Sequence, residues 1–276
     1  MKITPEELQR LAKFVHDKSG IVLDSSKSYL VESRLLPLIR QKSFTSFGDL
    51  HNQALRNPDL ANEIIDAIST NETSFFRDQK PFELLKFKIF PDVIDALSSK
   101  QGANPKSISI WSAACSTGQE AYTIAVTLHE LLGGSVSQYR IKITGTDICD
   151  TAIVQSSRGC YSQFEIGRGF PRNLLNKYFV PDGLNWRVKD ELRALTFFRK
   201  INLMEPFGAI GKFDIIFCRN VAIYFSMPNR KSLFERLAAQ LNPHGALIIG
   251  STESLFGVTD CFVRREYHNS VFYALK

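Results

Sequence analysis

SISIWSAACSTGQEAY, residues 107–122, is the stretch on which the fold turns. A β-rich apolar run over 107–113 gives way to small residues, and a helical pattern then runs from Glu120 to Leu132. Small residues after a strand let the backbone approach a ligand closely, at the carboxyl edge where open α/β sheets bind. Neither GxGxxG nor GxxxxGKS/T occurs, so a dinucleotide pyrophosphate or a nucleoside triphosphate lacks its usual glycine-rich cradle.

Working outward, KITGTDI (142–148), FDIIFC (213–218) and ALIIGS (246–251) are further short β-rich runs, with a helical stretch at Pro228–Leu241. Strands alternating with helices predict an α/β fold, a doubly wound, mostly parallel sheet with helices on both faces. The closing CFVRREYHNSVFYALK reads as two strands turning near His268-Asn269, an antiparallel finish. Residues 156–196 break the rhythm with Gly167-Arg168-Gly169 and Pro181-Asp182-Gly183, and read as a small β-rich insertion. At the other end, Thr4, Pro5 and Glu7 form a helix start, and Leu8, Leu11, Ala12 and Val15 keep helical spacing up to a stop at Gly20. A second helix is expected after Asp24 or Ser25, kinked or interrupted at Pro37, with two more at Phe47–Leu55 and Asp59–Ile68. The chain thus divides into a small all-helical N-terminal domain (1–69), a linker helix region (70–100) and an α/β domain (101–276) that carries the insertion.

Hydrophobic residues make up 44% of the 276 and charged residues 22%, which excludes a mainly disordered chain, a collagen-like repeat and a coiled-coil rod. No apolar stretch nears the ~20 residues needed to cross a bilayer. The N-terminal MKITPEELQR places acids where a signal peptide would carry its apolar core, so a cytoplasmic protein with no membrane insertion is expected. Five cysteines include no CxxC pair; they read as buried thiols, and no metal site is expected. The net charge of +6 points to an acidic partner, and residues 1–43 alone hold eight Lys/Arg against five Asp/Glu. Monomer is the default expectation.

Three runs carry polar groups to the sheet's binding edge. Asp147 ends the second strand, where it can accept from both ribose hydroxyls of a nucleoside or cap the next helix. Asn220 and Tyr224 follow the buried strand FDIIFC; Tyr224 and Phe225 can equally be core aromatics. TNETSFFRD (70–78) packs polar, aromatic and cationic groups between the two units, although Asn71 or Thr73 as a cap and Arg77 in a surface ion pair are ordinary alternatives. A nucleoside without a pyrophosphate, such as S-adenosylmethionine, fits this set.

Together TNETSFFRD (70–78), IWSAACSTGQEAYT (110–123), FDIIFCRNVAIYF (213–225) and LNPHGALIIGSTESL (241–255) resemble the chemotaxis receptor methyltransferases, the CheR-type family, in order and over nearly the whole chain. The resemblance implies transfer of a methyl group from S-adenosylmethionine to glutamate carboxylates on the helical cytoplasmic domains of chemoreceptors, giving a methyl ester and S-adenosylhomocysteine. It places the cofactor at Asn71, Thr73, Arg77, Glu120, Asp147, Asn202, Leu203, Asn220 and Val221, and the reacting end at Arg77 and Tyr224. The sequence departs from the family with Gln119 and Ala121 where many members carry Glu and Pro, and with His244 where Gly or Asp is common. In some members the insertion tethers a pentapeptide at the receptor's C-terminus, and Gly167-Arg168-Gly169-Phe170 lies in that region. The basic helical unit, through Arg34 and Arg40, is expected to steer the acidic receptor helix.

The chemistry agrees. A glutamate carboxylate, with a reference pKa of about 4.3, is already ionised at neutral pH and needs no general base. In-line attack on a sulfonium methyl requires positioning, worth roughly 7–11 kcal/mol. The competing readings are an RNA or small-molecule methyltransferase, against which counts that Asn220 is not followed by the Pro-Pro-aromatic pattern of amino-methylating enzymes, and a nonenzymatic cofactor-binding adaptor, against which intact Arg77 and Tyr224 weigh. Nucleic acid is therefore not the expected partner.

Overall fold

The computed structural model describes residues 1–98 and 106–276. The expected boundary between linker and α/β domain, at residues 100–101, lies outside the described residues.

Four helices open the chain: α1 (Pro5–Ser19), α2 (Ser28–Gln41), α3 (Phe47–Ala54) and α4 (Pro58–Ile68). The Thr4/Glu7 capping box is formed, and Gly20 ends α1 at φ 75°. Their apolar stripes close on a core of their own that includes Leu11, Val15, Val31, Leu35, Phe47, Leu50 and Ile64. Pro37 does not interrupt α2, which runs unbroken from 28 to 41. The proline deprives the Ser33 carbonyl of its helical donor, but Ser33 and Pro37 are both exposed, so water replaces the missing bond.

Two short helices, α5 (Lys80–Leu84) and α6 (Phe90–Ser98), flank a π-helical turn and lead to a seven-stranded sheet. Its strands are β1 (Lys106–Ala113), β2 (Tyr139–Asp147), β6 (Thr196–Lys200), β7 (Phe213–Cys218), β8 (Leu241–Ile249), β9 (Phe262–Tyr267) and β10 (Ser270–Leu275). The order is β6-β2-β1-β7-β8-β10-β9; all pairs are parallel except β10 with β8 and β9. The β9–β10 turn uses His268 and Asn269, both at positive φ. β6 is an edge strand that the sequence reading left out. It is five residues long with a half-exposed Phe197, so it carries neither the length nor the burial pattern of the central strands.

Helix α7 (Gln119–Leu132) covers one face of the sheet and α12 (Met227–Gln240) the other. Phe213–Cys218 is buried at every position, as expected of a central parallel strand. Each of its Phe and Ile side chains contributes about 1.5–3 kcal/mol by leaving water. Helix α8 (Asp150–Arg158) precedes the insertion, whose strands β3 (Cys160–Ser162), β4 (Phe179–Asp182) and β5 (Asn185–Val188) pair in the order β3-β5-β4. Short helices α9 (Gln163–Gly167), α10 (Arg172–Tyr178) and α11 (Asp190–Arg193) fill its connections.

The helical unit docks over the carboxyl edge of the sheet. Ile21 and Phe225 form an antiparallel bridge, and Val22 N–H donates to the Tyr224 carbonyl at 2.9 Å. Asp66 of α4 accepts from the first backbone amides of α8, Asp150 and Thr151, at 3.1 and 3.2 Å. No described helix is long and apolar enough to cross a membrane.

Candidate active site

The chain reverses its direction of winding beside β1, with β2 and β6 on one side and β7 and β8 on the other, and the crevice opens there. A cleft with about 1220 Å³ of empty space, part of it open to solvent, lies between this edge and the helical unit. Its walls bring together Asn71, Thr73, Arg77, Glu120, Asp147, Asn202, Leu203, Asn220, Val221 and Tyr224.

The loop after β1 forms one wall. Ala114 and Ser116 sit at positive φ, and Gly118 (φ 94°) starts α7 where a β-carbon would strike Ser156 of α8. The carboxylate of Asp147 is 7% exposed. It accepts from Ser116 N–H at 2.8 Å and Cys149 N–H at 3.0 Å, so it ties two loop amides at the cleft and does not cap α8, whose N-cap position is Cys149. Burial pushes its pKa up against those two bonds. Glu120, on the first turn of α7, accepts from Ser112 Oγ at 2.7 Å and from Arg219 Nη1 at 2.8 Å.

Residues 70–79 form the second wall, and neither Asn71 nor Thr73 caps a helix. Phe76, Asp78 and Gln79 all adopt positive φ around Arg77, at about 1–3 kcal/mol each. Arg77 Nη1 donates to the Glu72 carbonyl at 2.7 Å. Asn71 donates to Cys149 Sγ at 3.4 Å, and its carbonyl accepts from Ser116 Oγ at 3.1 Å.

The segment after β7 closes the third side. Asn220 has φ 56°, with its N–H donating to Glu253 at 2.7 Å. Tyr224 is half-buried and Phe225 buried; both line the cleft, and both pack in the core on the α12 side of the sheet. Asn202 spends its side chain on shape: its Nδ2 donates to the Lys18 carbonyl at 2.8 Å, and its Oδ1 accepts from Met204 N–H at 3.0 Å.

One expectation changes. Arg34 lies outside the cleft walls and is committed within the fold. Its Nη1 donates to the carbonyls of Ile68 (2.9 Å) and Ser69 (2.5 Å), and Nη2 to Thr70 Oγ1 (3.3 Å). The last carbonyls of α4 lack helical donors, and a cation there also suits the helix dipole, so Arg34 is a helix cap. Arg40 is exposed. Sequence reasoning also missed Arg219, which is 7% exposed and bridges Glu120, Asp78 (2.8 Å) and the Arg77 carbonyl (3.0 Å). An arginine directly after a fully buried strand was the available signal, because buried cations require such partners.

The donor set tests what the cleft accepts. Carboxylates (Glu120, Asp147) suit hydroxyls and a cationic ligand, and Ile148, Ile201, Leu203 and Val221 supply an apolar surface for a base. S-adenosylmethionine, a nucleoside with a sulfonium and no phosphate, fits.

Residues 71–271 match the CheR methyltransferase, SAM binding domain, and residues 6–69 the CheR methyltransferase, all-alpha domain. The chain belongs to the CheR methyltransferase family. Chemotaxis protein methyltransferase 1 of Vibrio cholerae is 40% identical over 283 residues, covering 99% of this chain and 98% of that protein. Chemotaxis protein methyltransferase 1 of Pseudomonas aeruginosa is 35% identical with 95% of each chain covered, and the chemotaxis protein methyltransferase of Borreliella burgdorferi 38% identical with 93% and 91% covered. This CheR-type protein is an S-adenosylmethionine-dependent methyltransferase.

Proposed function

We propose that this methyltransferase esterifies glutamate side chains on the cytoplasmic helical domains of chemoreceptors, serving chemotactic adaptation in the cytoplasm. The observation that carries the reading is the cleft itself. It gathers Arg77 and Tyr224 beside the carboxylates of Glu72, Glu120 and Asp147, and among the described residues no histidine lines it. A site built for an acceptor that arrives ionised needs no base at that place.

S-adenosylmethionine, when bound, supplies a methyl group activated by its sulfonium. Asp147 and Glu120 hold its hydroxyl and cationic parts, and Asn202-Leu203 and Asn220-Val221 border the base through backbone and apolar surface. Arg77, fixed by the Glu72 carbonyl, orients the incoming carboxylate or the cofactor's carboxylate. Tyr224, on the turn that the helical unit covers, orients the methyl donor and excludes water. Arg40 meets the acidic receptor helix at the exposed face of α2, where charge acts mainly on association rate and register. Arg34 contributes from within, by fastening the start of the Arg77 loop.

The test is incubation with methyl-labelled S-adenosylmethionine and receptor-bearing membranes, then mild base. Volatile methanol from labelled receptor is the expected product. Base-stable label, or none across a receptor panel despite cofactor binding, defeats the reading.

A further inference from the structure

The Arg77 loop rests on the insertion as well as on the sheet. At Gly169 a β-carbon would overlap the Phe75 carbonyl oxygen, so two backbones meet where no side chain fits. Gly169 itself is not in the left-handed region, so space rather than conformation demands glycine there. Its neighbours extend the contact. Arg168 pairs with the Glu72 carboxylate, and it is the Glu72 carbonyl that receives Arg77 Nη1. The Phe170 ring packs edge-on against Phe75 and Phe76, at 5.3 and 5.8 Å. Phe76 then takes φ 52°, and Arg77 follows.

We propose that Arg168, Gly169 and Phe170 of the insertion are positioning residues for methyl transfer, forming a rail that sets the strained second half of the 70–79 loop so that Arg77 points correctly into the cleft. The start of the loop, at Asn71, is anchored elsewhere, to Ser116 and Cys149. Disturbing the rail therefore acts on turnover and leaves cofactor binding almost untouched. It is a built-in connection: whatever occupies or deforms the insertion near Arg168 is felt at Arg77.

The inference rests on the role given to Arg77 above, so the experiment includes a readout independent of catalysis. In the full-length protein, Gly169→Ala is compared with Gly167→Ala, whose β-carbon would meet nothing within 4 Å. Expected for Gly169→Ala are a fall in kcat of tenfold or more, a Kd for S-adenosylhomocysteine within threefold of the parent by calorimetry, and faster amide exchange at Phe76 and Gln79. Gly167→Ala should match the parent throughout. If Gly169→Ala does not fold, Arg168→Glu decides: kcat falls at least threefold, and adding Glu72→Arg recovers at least half of the loss. Unchanged kcat, parallel losses of kcat and cofactor affinity, or no recovery in the charge-swapped pair overturns the proposal. A parent protein that labels no receptor defeats the proposed function instead, while the exchange comparison still tests the rail.

Discussion

Residues 114–118 and residues 70–79 both wall the cleft, yet they are held in different ways. The first loop is fastened by its neighbours in the sheet: Cys115 N–H reaches the Thr146 carbonyl at 2.8 Å, and Ser116 N–H reaches Asp147. The second loop has no strand beside it. Asn71 meets Ser116 and Cys149, Phe76 N–H donates to Thr123 of α7 at 3.2 Å, and further ties come from Arg34 of the helical unit, Arg168 of the insertion and Arg219 after β7. Three arginines from three separate regions thus converge on one strained segment. Both loops carry left-handed non-glycine residues, Ala114 and Ser116 in the first and Phe76, Asp78 and Gln79 in the second, and such residues persist only where other contacts over-determine them; adjacent strand ends supply those contacts to the first loop, and distant side chains supply most of them to the second.

The comparison can be broken by removing ties one at a time. Arg219→Met leaves Glu120 and Asp78 without their buried partner and should cost about 3–5 kcal/mol in urea unfolding, with loss of activity. Arg77→Ala removes the group proposed for the reacting end and only one bond within the loop, to the Glu72 carbonyl. Methyl transfer to receptor should fall about 10²–10³-fold with unchanged thermal unfolding, and an unchanged rate would remove Arg77 from the mechanism. Arg34→Gln uncaps α4 and frees Thr70; about 1–3 kcal/mol of stability is expected to go, with KM for receptor rising no more than KM for cofactor. A selective rise in receptor KM would instead restore Arg34 to the docking face. Ser116→Ala removes one side-chain bond from a loop that the sheet already holds, so no more than about 0.5–1.5 kcal/mol is expected. Should it cost more than Arg34→Gln, the contrast between the two loops fails.

The same division explains what could be read in advance. The β1 loop, Asp147 and Asn220 were legible because a buried strand, small residues and a polar group at its end are consecutive in sequence. That Asn71, Thr73 and Arg77 belong beside them came from resemblance to the family, since no local period marks residues 70–79. The reading of Arg34 as a docking charge followed the surplus of positive charge in residues 1–43; composition counts charges but does not say which are consumed by helix ends. Arg219 stood in plain view after FDIIFC, but its partners lie 99 and 141 residues away.

By itself the sequence determined the central strands and the helices that cover them, the antiparallel finish, the helical unit and the strand-end residues of the cleft, because periodicity and capping act over a few residues. Only the tertiary structure decided that the helical unit roofs the crevice, that Arg34 is spent as a cap, and that the insertion supports the Arg77 loop. Those outcomes depend on which unsatisfied carbonyl, buried charge or glycine gap meets which distant partner, and such meetings exist only once the chain has packed.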